Sequence, residues 1–184
     1  TIHKGKKCKI FNIIEKEAGI SYAAKSFPME FNTLIISQII SVLSKLNHPS
    51  IIKFIGYSPI NFKDKAKPMI VFDLAQNESL DKILEIERNG LKITDWDDTR
   101  KLICILGIAA GMSYLHSHNI IHCNLRPSNI LLDEFLLPKI TDFGYSKILS
   151  ENSICFSIGY HSFQEGCFAP EIISSGQVSK ASDV

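Results

Sequence analysis

Nothing in this sequence pairs cysteines, reaches across a membrane or concentrates charge of one sign. The five cysteines, Cys8, Cys104, Cys123, Cys155 and Cys167, are odd in number and form no Cys-x-x-Cys pair. A disulfide framework or zinc site is therefore not expected, and reduced thiols in a cytoplasmic protein are the simpler reading. No apolar run approaches the roughly 20 residues of a membrane span, so no membrane partner is expected. The formal net charge is +1 at pH 7, which offers nothing to nucleic acid or an anionic surface. Thr1–Ile10 carries Lys4, Lys6, Lys7 and Lys9 but no apolar h-region, so it does not read as a signal peptide. Internal repeats and low-complexity tracts are also missing.

What is present is material for a core. The hydrophobic fraction is 45%, with 11 Phe and 5 Tyr among 184 residues, and the charged fraction is only 21%. This composition excludes a disordered chain. Lys9–Ile14 and Ser21–Phe27 read as short strands around the polar turn Glu15–Gly19. Phe31–Leu46 places Leu34, Ile35, Ile39, Val42, Leu43 and Leu46 at helical spacing, and Asn47-His48-Pro49-Ser50 ends it. Ile51–Tyr57 and Pro68–Leu74 read as buried strands.

The pattern then turns helical. Ser79 reads as the cap of a helix to Arg88, with Gly90 as its stop. Thr94 reads as the cap before a second helix from about Asp97 to His116. That helix is apolar almost all round, which predicts burial. Strands followed by helices predict an α+β fold with two lobes, 1–74 and 75–184, joined by a hinge near 73–77.

Six segments add specificity. Ile120–Gly144 reads IIHCNLRPSNILLDEFLLPKITDFG, with Asn129 five residues after Asn124 and Asp142 thirteen residues further on. Ala169-Pro170-Glu171 follows, and Ser182-Asp183-Val184 closes the sequence. Upstream stand Tyr22-Ala23-Ala24-Lys25, then Leu43-Ser44-Lys45-Leu46-Asn47-His48-Pro49, then Phe72-Asp73-Leu74-Ala75. In order and at these spacings, the motifs resemble the H-R-D-L-x-x-x-N, D-F-G, A-P-E and V-A-I-K segments of eukaryotic protein kinases. The Leu125-Arg126-Pro127-Ser128-Asn129 run leans to the Ser/Thr or tyrosine-kinase-like branch. Taken singly, Lys25 is one more surface lysine, Asp142 a turn residue and Asn129 a loop cap. Taken in register, they form a site.

The resemblance implies ATP and Mg²⁺ as cofactors. Phosphoryl transfer is mostly positioning and electrostatics. Lys25 would pair the α- and β-phosphates, and Asn129 and Asp142 would give oxygen ligands to Mg²⁺, a hard cation. Gly5, Ile10, Ala23 and Leu131 would surround the nucleotide, while the backbone of Asp73 and Ala75 would bond the adenine edge. His122, Phe143 and Leu43 would be spine residues of the core.

The departures from the family pattern bear on activity. Asn124 stands where the catalytic aspartate belongs, and an amide does not accept a proton near neutral pH. Cys123 replaces the arginine that grips a phosphorylated activation loop. Arg126 replaces the lysine near the γ-phosphate, keeping charge but not shape. Ile39 falls where the helix should offer Lys25 a glutamate, with Glu30 too far upstream and Gln38 unable to form the ion pair. Of three loop glycine positions, occupied by His3, Gly5 and Cys8, only Gly5 remains. Phe163–Phe168 departs from the usual substrate-docking segment. Asp183 would brace the catalytic loop, but its usual long helix does not follow within the sequence, which leaves the C-lobe incomplete. The expected function is a pseudokinase that binds Mg-ATP weakly and acts through an unidentified protein partner. The alternatives are an active Ser/Thr kinase, with Asn124 orienting the substrate hydroxyl, and a non-functional remnant.

Overall fold

A computed structural model describes residues 3–4, 8–28, 33–61, 65, 67–150, 154–157 and 169–184. Gly5, Glu30, Phe31 and the segment Phe163–Phe168 lie outside the described residues. The first part is an antiparallel sheet with one helix. Strands β1 (His3–Lys4), β2 (Lys9–Ile14), β3 (Ser21–Ser26), β4 (Phe54–Ser58) and β5 (Met69–Asp73) lie in the order β1-β2-β3-β5-β4, and helix α1 (Thr33–Leu43) falls between β3 and β4 in sequence. The β2–β3 turn closes as read: Glu15 N–H donates to Ile20 O at 2.9 Å, and Gly19 takes a φ of +69° that a side chain would strain.

The second part is helical with small β pairs. It comprises α2 (Leu80–Arg88), α3 (Asp98–Ser117), β6 (Ile120–Ile121), β7 (Ile130–Leu132), β8 (Pro138–Ile140), β9 (Lys147–Ile148), β10 (Cys155–Ser157), α4 (Pro170–Ser175) and β11 (Gln177–Ser179). Sheet-rich and helical parts share a core: Leu43, Ile70, Met112, Leu115, Ile140 and Phe143 belong to one buried cluster. The fold is α+β, as the composition and element order imply.

Several boundaries differ from the sequence reading, each for a local reason. Helix α1 ends at Leu43, not Leu46, because Lys45 and Leu46 donate to the carbonyls three residues back and tighten the last turn. The strand expected from Ile51 begins at Phe54. Ile51 instead makes an isolated bridge to Ile140, and Ile55 and Tyr57 face solvent. Asp97, not Thr94, caps α3, its carboxylate accepting from Arg100 N–H at 2.7 Å. Ser79 does sit at the N-cap of α2, but its hydroxyl donates to the Asp81 side chain rather than capping the backbone.

Helix α3 is buried on one side only. Cys104, Gly111, Met112 and Leu115 are buried, whereas Ile105 is 62% exposed and Leu106 60%. An apolar pattern on every side shows that a helix can be buried, but not which face its neighbours cover.

Candidate functional site

Lys25 is placed by the alternation of β3. Ala24 is fully buried, so Ala23 and Lys25 share the opposite face, and Ile10 of β2 stands directly across from Lys25. The ammonium of Lys25 lies 2.8 Å from Asp142 Oδ1 and 5.7 Å above the Phe27 ring. Asp142 follows β8 with a φ of +66°, a left-handed conformation a non-glycine residue rarely holds without support. The support is visible: Lys25 holds one carboxylate oxygen, and Asn124 Nδ2 donates to the other at 3.2 Å.

The loop carrying Asn124 is fixed from beneath. His122 is fully buried, and Asp183 accepts from the backbone N–H of both His122 (2.7 Å) and Cys123 (2.8 Å). The same Asp183 carboxylate meets His116 Nε2 at 3.0 Å. Asp183 is carried by the turn Lys180–Asp183. His122 Nδ1 accepts from Asn124 N–H at 3.2 Å, so Nε2 carries the proton and donates to Thr141 O at 2.9 Å. The His122 ring meets the edge of Phe143 at 5.1 Å. Asn129 is buried, and its Nδ2 donates to Asn124 O at 2.8 Å, which leaves its carbonyl oxygen outside that bond.

The electrostatics are mutually consistent. Burial works against the Lys25 charge, but the Asp142 carboxylate outweighs it and holds the ammonium above the usual lysine value. Burial likewise disfavours the Asp142 anion, and the charge of Lys25, helped by the Asn124 amide, more than compensates and keeps the carboxyl below its usual range. His122 is pushed down by burial and stays neutral. The Cys123 thiol is pushed up to about 12, first by burial and then by Asp183, so it stays a neutral thiol.

The donor set fits one divalent cation. An ionised carboxylate has about four lone-pair sites, and Lys25 and Asn124 use one each on Asp142. The Asn129 carbonyl is a second hard oxygen. Among the described residues no cluster of three His, Cys, Asp or Glu side chains exists. Two protein oxygens are enough for Mg²⁺, which keeps waters and takes phosphate oxygens.

The other predicted residues are placed less tightly. Ile39 is 6% exposed in the core cluster with Ile36, Leu43 and Ile70, so α1 presents Lys25 no carboxylate there. Gln38 instead accepts from Lys147 Nζ at 3.4 Å. Asp73 N–H donates to Lys53 O at 2.9 Å, leaving only the Asp73 carbonyl for an adenine edge. Leu131 is half-buried beside α2, bridging to Ser79. Arg126 begins the turn Pro127–Asn129, with Asn129 N–H donating to its carbonyl at 2.9 Å. A cavity of about 420 Å³ is lined by His48, Lys53, Ala75, Asp133 and Lys139, and by none of Lys25, Asn124, Asn129 or Asp142. The Asn124–Asp142 bond was not expected from sequence, although the pairing of an amide with an acceptor-only carboxylate was the available signal.

Comparison with known proteins gives the family. Residues 1–184 match the family model of the protein kinase domain. The chain belongs to the protein kinase family. It is 32% identical over 148 residues to the putative receptor protein kinase ZmPK1 of Zea mays, covering 79% of this chain and 17% of that protein. It is 35% identical over 150 residues to the G-type lectin S-receptor-like serine/threonine-protein kinase RKS1 of Arabidopsis thaliana, with the same coverages. It is 32% identical over 157 residues to cold-responsive protein kinase 1 of Arabidopsis thaliana, covering 79% of this chain and 37% of that relative. The protein kinase chain described here therefore spans well under half the length of these curated relatives. Among its described residues no helix is long and apolar enough to cross a membrane.

Proposed function

We propose that this protein kinase domain is a catalytically impaired pseudokinase. It binds ATP weakly and acts in signalling through contacts with a protein partner, in a cytoplasmic, thiol-reducing setting. One observation carries the reading: the residue at the base position, Asn124, is an amide whose Nδ2 is engaged by Asp142 at 3.2 Å. It can neither accept the substrate proton nor present a carboxylate to it. Loss of a positioned base costs roughly 10²–10⁴ in rate.

The nucleotide lies, in this reading, between a lobe ending near the hinge at 73–77 and the helical part beyond it. Lys25 takes the α- and β-phosphates, Arg126 the γ-phosphate, and Ile10, Ala23 and Leu131 the adenine faces. The Ala75 N–H and Asp73 carbonyl meet its edge. Mg²⁺, held by Asp142 and Asn129, would supply charge neutralisation on the phosphates. Ile39 weakens the site, because no glutamate fixes Lys25 when Asp142 turns to a metal.

A second reading, an active Ser/Thr-type kinase, is favoured by the braced loop and the His122–Phe143 contact, which leave the scaffold of the site intact. Calorimetric titration of the full natural protein with Mg-ATP and radiolabelled γ-phosphate transfer to a generic protein substrate separate the two. The expected result is weak binding, lost in Lys25→Met, with negligible transfer. Robust transfer by the wild type, abolished by Asp142→Ala, would refute the pseudokinase reading. No binding at millimolar Mg-ATP refutes the nucleotide site.

A further inference from the structure

We infer that Asn124 is a positioning residue that lets this site take a nucleoside di- or triphosphate without a divalent cation. The inference rests on the proposed nucleotide site and goes beyond it, because the kinase pattern makes the metal a requirement. The reason for that requirement is charge. In the pattern, positions 39, 124 and 142 are all carboxylates around the lysine at position 25, and a second cation, kept here as Arg126, faces the γ-phosphate. A divalent ion is then the counter-charge that lets phosphate approach carboxylate. In this chain positions 39 and 124 are Ile39 and Asn124. The one remaining carboxylate, Asp142, is paired with Lys25 at 2.8 Å. Counted over positions 25, 39, 124 and 142, the set carries no net charge, two fewer negative charges than the pattern, and Arg126 is a cation in both.

The geometry adds to the count. An ionised carboxylate only accepts, so the Asn124 amide must turn its NH₂ to Asp142, and that bond is made at 3.2 Å. The Asp142 charge is thus drawn towards two donors of its own chain. An aspartate at position 124 would do the opposite, placing a second anion at that distance. The Lys25 ammonium has three donors, and Asp142 uses one of them. Lys25 can hold Asp142 and still present two N–H groups to a phosphate. Asn124 itself is held by the loop: its N–H is on His122 Nδ1 and its carbonyl on Asn129 Nδ2. Its side chain is therefore aimed by the backbone rather than free to drift.

The experiment is calorimetric titration of the full natural protein with ATP and with ADP, once in excess EDTA and once in excess Mg²⁺. For the wild type the two affinities are expected to agree within about threefold, a small metal–nucleotide coupling. For Asn124→Asp the EDTA affinity is expected to fall by about tenfold or more, with Mg²⁺ restoring it. The nucleotide-free melting temperature gives an independent readout: Mg²⁺ should raise it in Asn124→Asp and leave the wild type unchanged. Wild-type binding seen only with Mg²⁺ overturns the inference while leaving the nucleotide site standing. An Asn124→Asp protein that keeps its EDTA affinity overturns the role of Asn124. No binding in either condition overturns the nucleotide site and this inference with it. The wild-type comparison stands even if the variant fails to fold.

Discussion

Replacing Ile39 tests whether Lys25 holds Asp142 only because α1 offers it nothing else. Lys25, Phe27 and the facing Ile70 lie on the sheet face against which α1 packs, and Ile39 is 6% exposed in the same cluster as Phe27 and Ile70. Ile39→Gln removes the apolar side chain and buries an uncharged amide of glutamate's shape. Large-to-small losses at such sites reach about 2–5 kcal/mol. The similar volume of glutamine reduces the cavity while the amide adds desolvation, so a loss of about 2–4 kcal/mol is expected. Ile39→Glu adds a charge that is costly to bury alone, several kcal/mol per ion. With the Lys25 ammonium in reach the pair offsets that cost, and Ile39→Glu should then be more stable than Ile39→Gln by about 1 kcal/mol. In a Lys25→Met background the order should reverse. Denaturant unfolding of the four combinations at neutral pH forms a double-mutant cycle that isolates the pair. If Ile39→Glu is the less stable with Lys25 intact, position 39 does not face Lys25 and the charge count at the site is wrong. The same variant bears on chemistry. Asn124→Asp alone should yield little phosphate transfer, and adding Ile39→Glu should give partial rescue, because the lysine–glutamate pair aligns the phosphates.

Three further outcomes follow from the packing and the charges. Asp183→Ala leaves the N–H groups of His122 and Cys123 without their acceptor; at about 1–3 kcal/mol per orphaned buried donor, denaturant unfolding should show a loss of at least that size, and unchanged stability would disprove the brace. Gly107→Ala should destabilise by about 1–2 kcal/mol despite its better helix propensity, because the new Cβ would sit 2.6 Å from Pro138 Cγ in a ring that cannot rotate away; a stabilised protein would show that α3 and β8 are not so close. Acid should unfold the protein in two stages read by melting temperature. His122 is kept neutral below its usual 6.5, so its share of stability is complete above that value and drains as pH falls through the lower folded value. Asp142 lies below its usual 3.8, so its share is present above that and is lost only on further acidification. A melting temperature that stays level down to the second stage would contradict a buried neutral His122.

The sequence discloses pieces whose physics is local and hides those settled by a choice of partner. The bounds of β2 and α2 are legible because a short apolar run, a turn glycine and the polar residues at a helix end act within a few residues. The start of α3 near Asp97 is legible too, but its cap is not, because Thr94 and Asp97 are both able caps and only the chain's path decides between them. Its exposed face is illegible for a related reason: a helix apolar on every side gives no direction. Resemblance to the kinase motifs singles out Lys25, Asn129 and Asp142 as candidates, yet not the bonds they make. Those depend on what is missing elsewhere. With Ile39 in the core, Lys25 has no carboxylate from α1 and turns to Asp142. With an amide rather than an acid at position 124, Asp142 gains a donor where it would have met a repelling anion. Set against the kinase pattern, these two substitutions read as separate losses. In the structure they form one arrangement, since each removes a negative charge from around the same lysine and carboxylate. That is why restoring either one alone should leave the site out of balance, and why the paired replacement is the informative experiment.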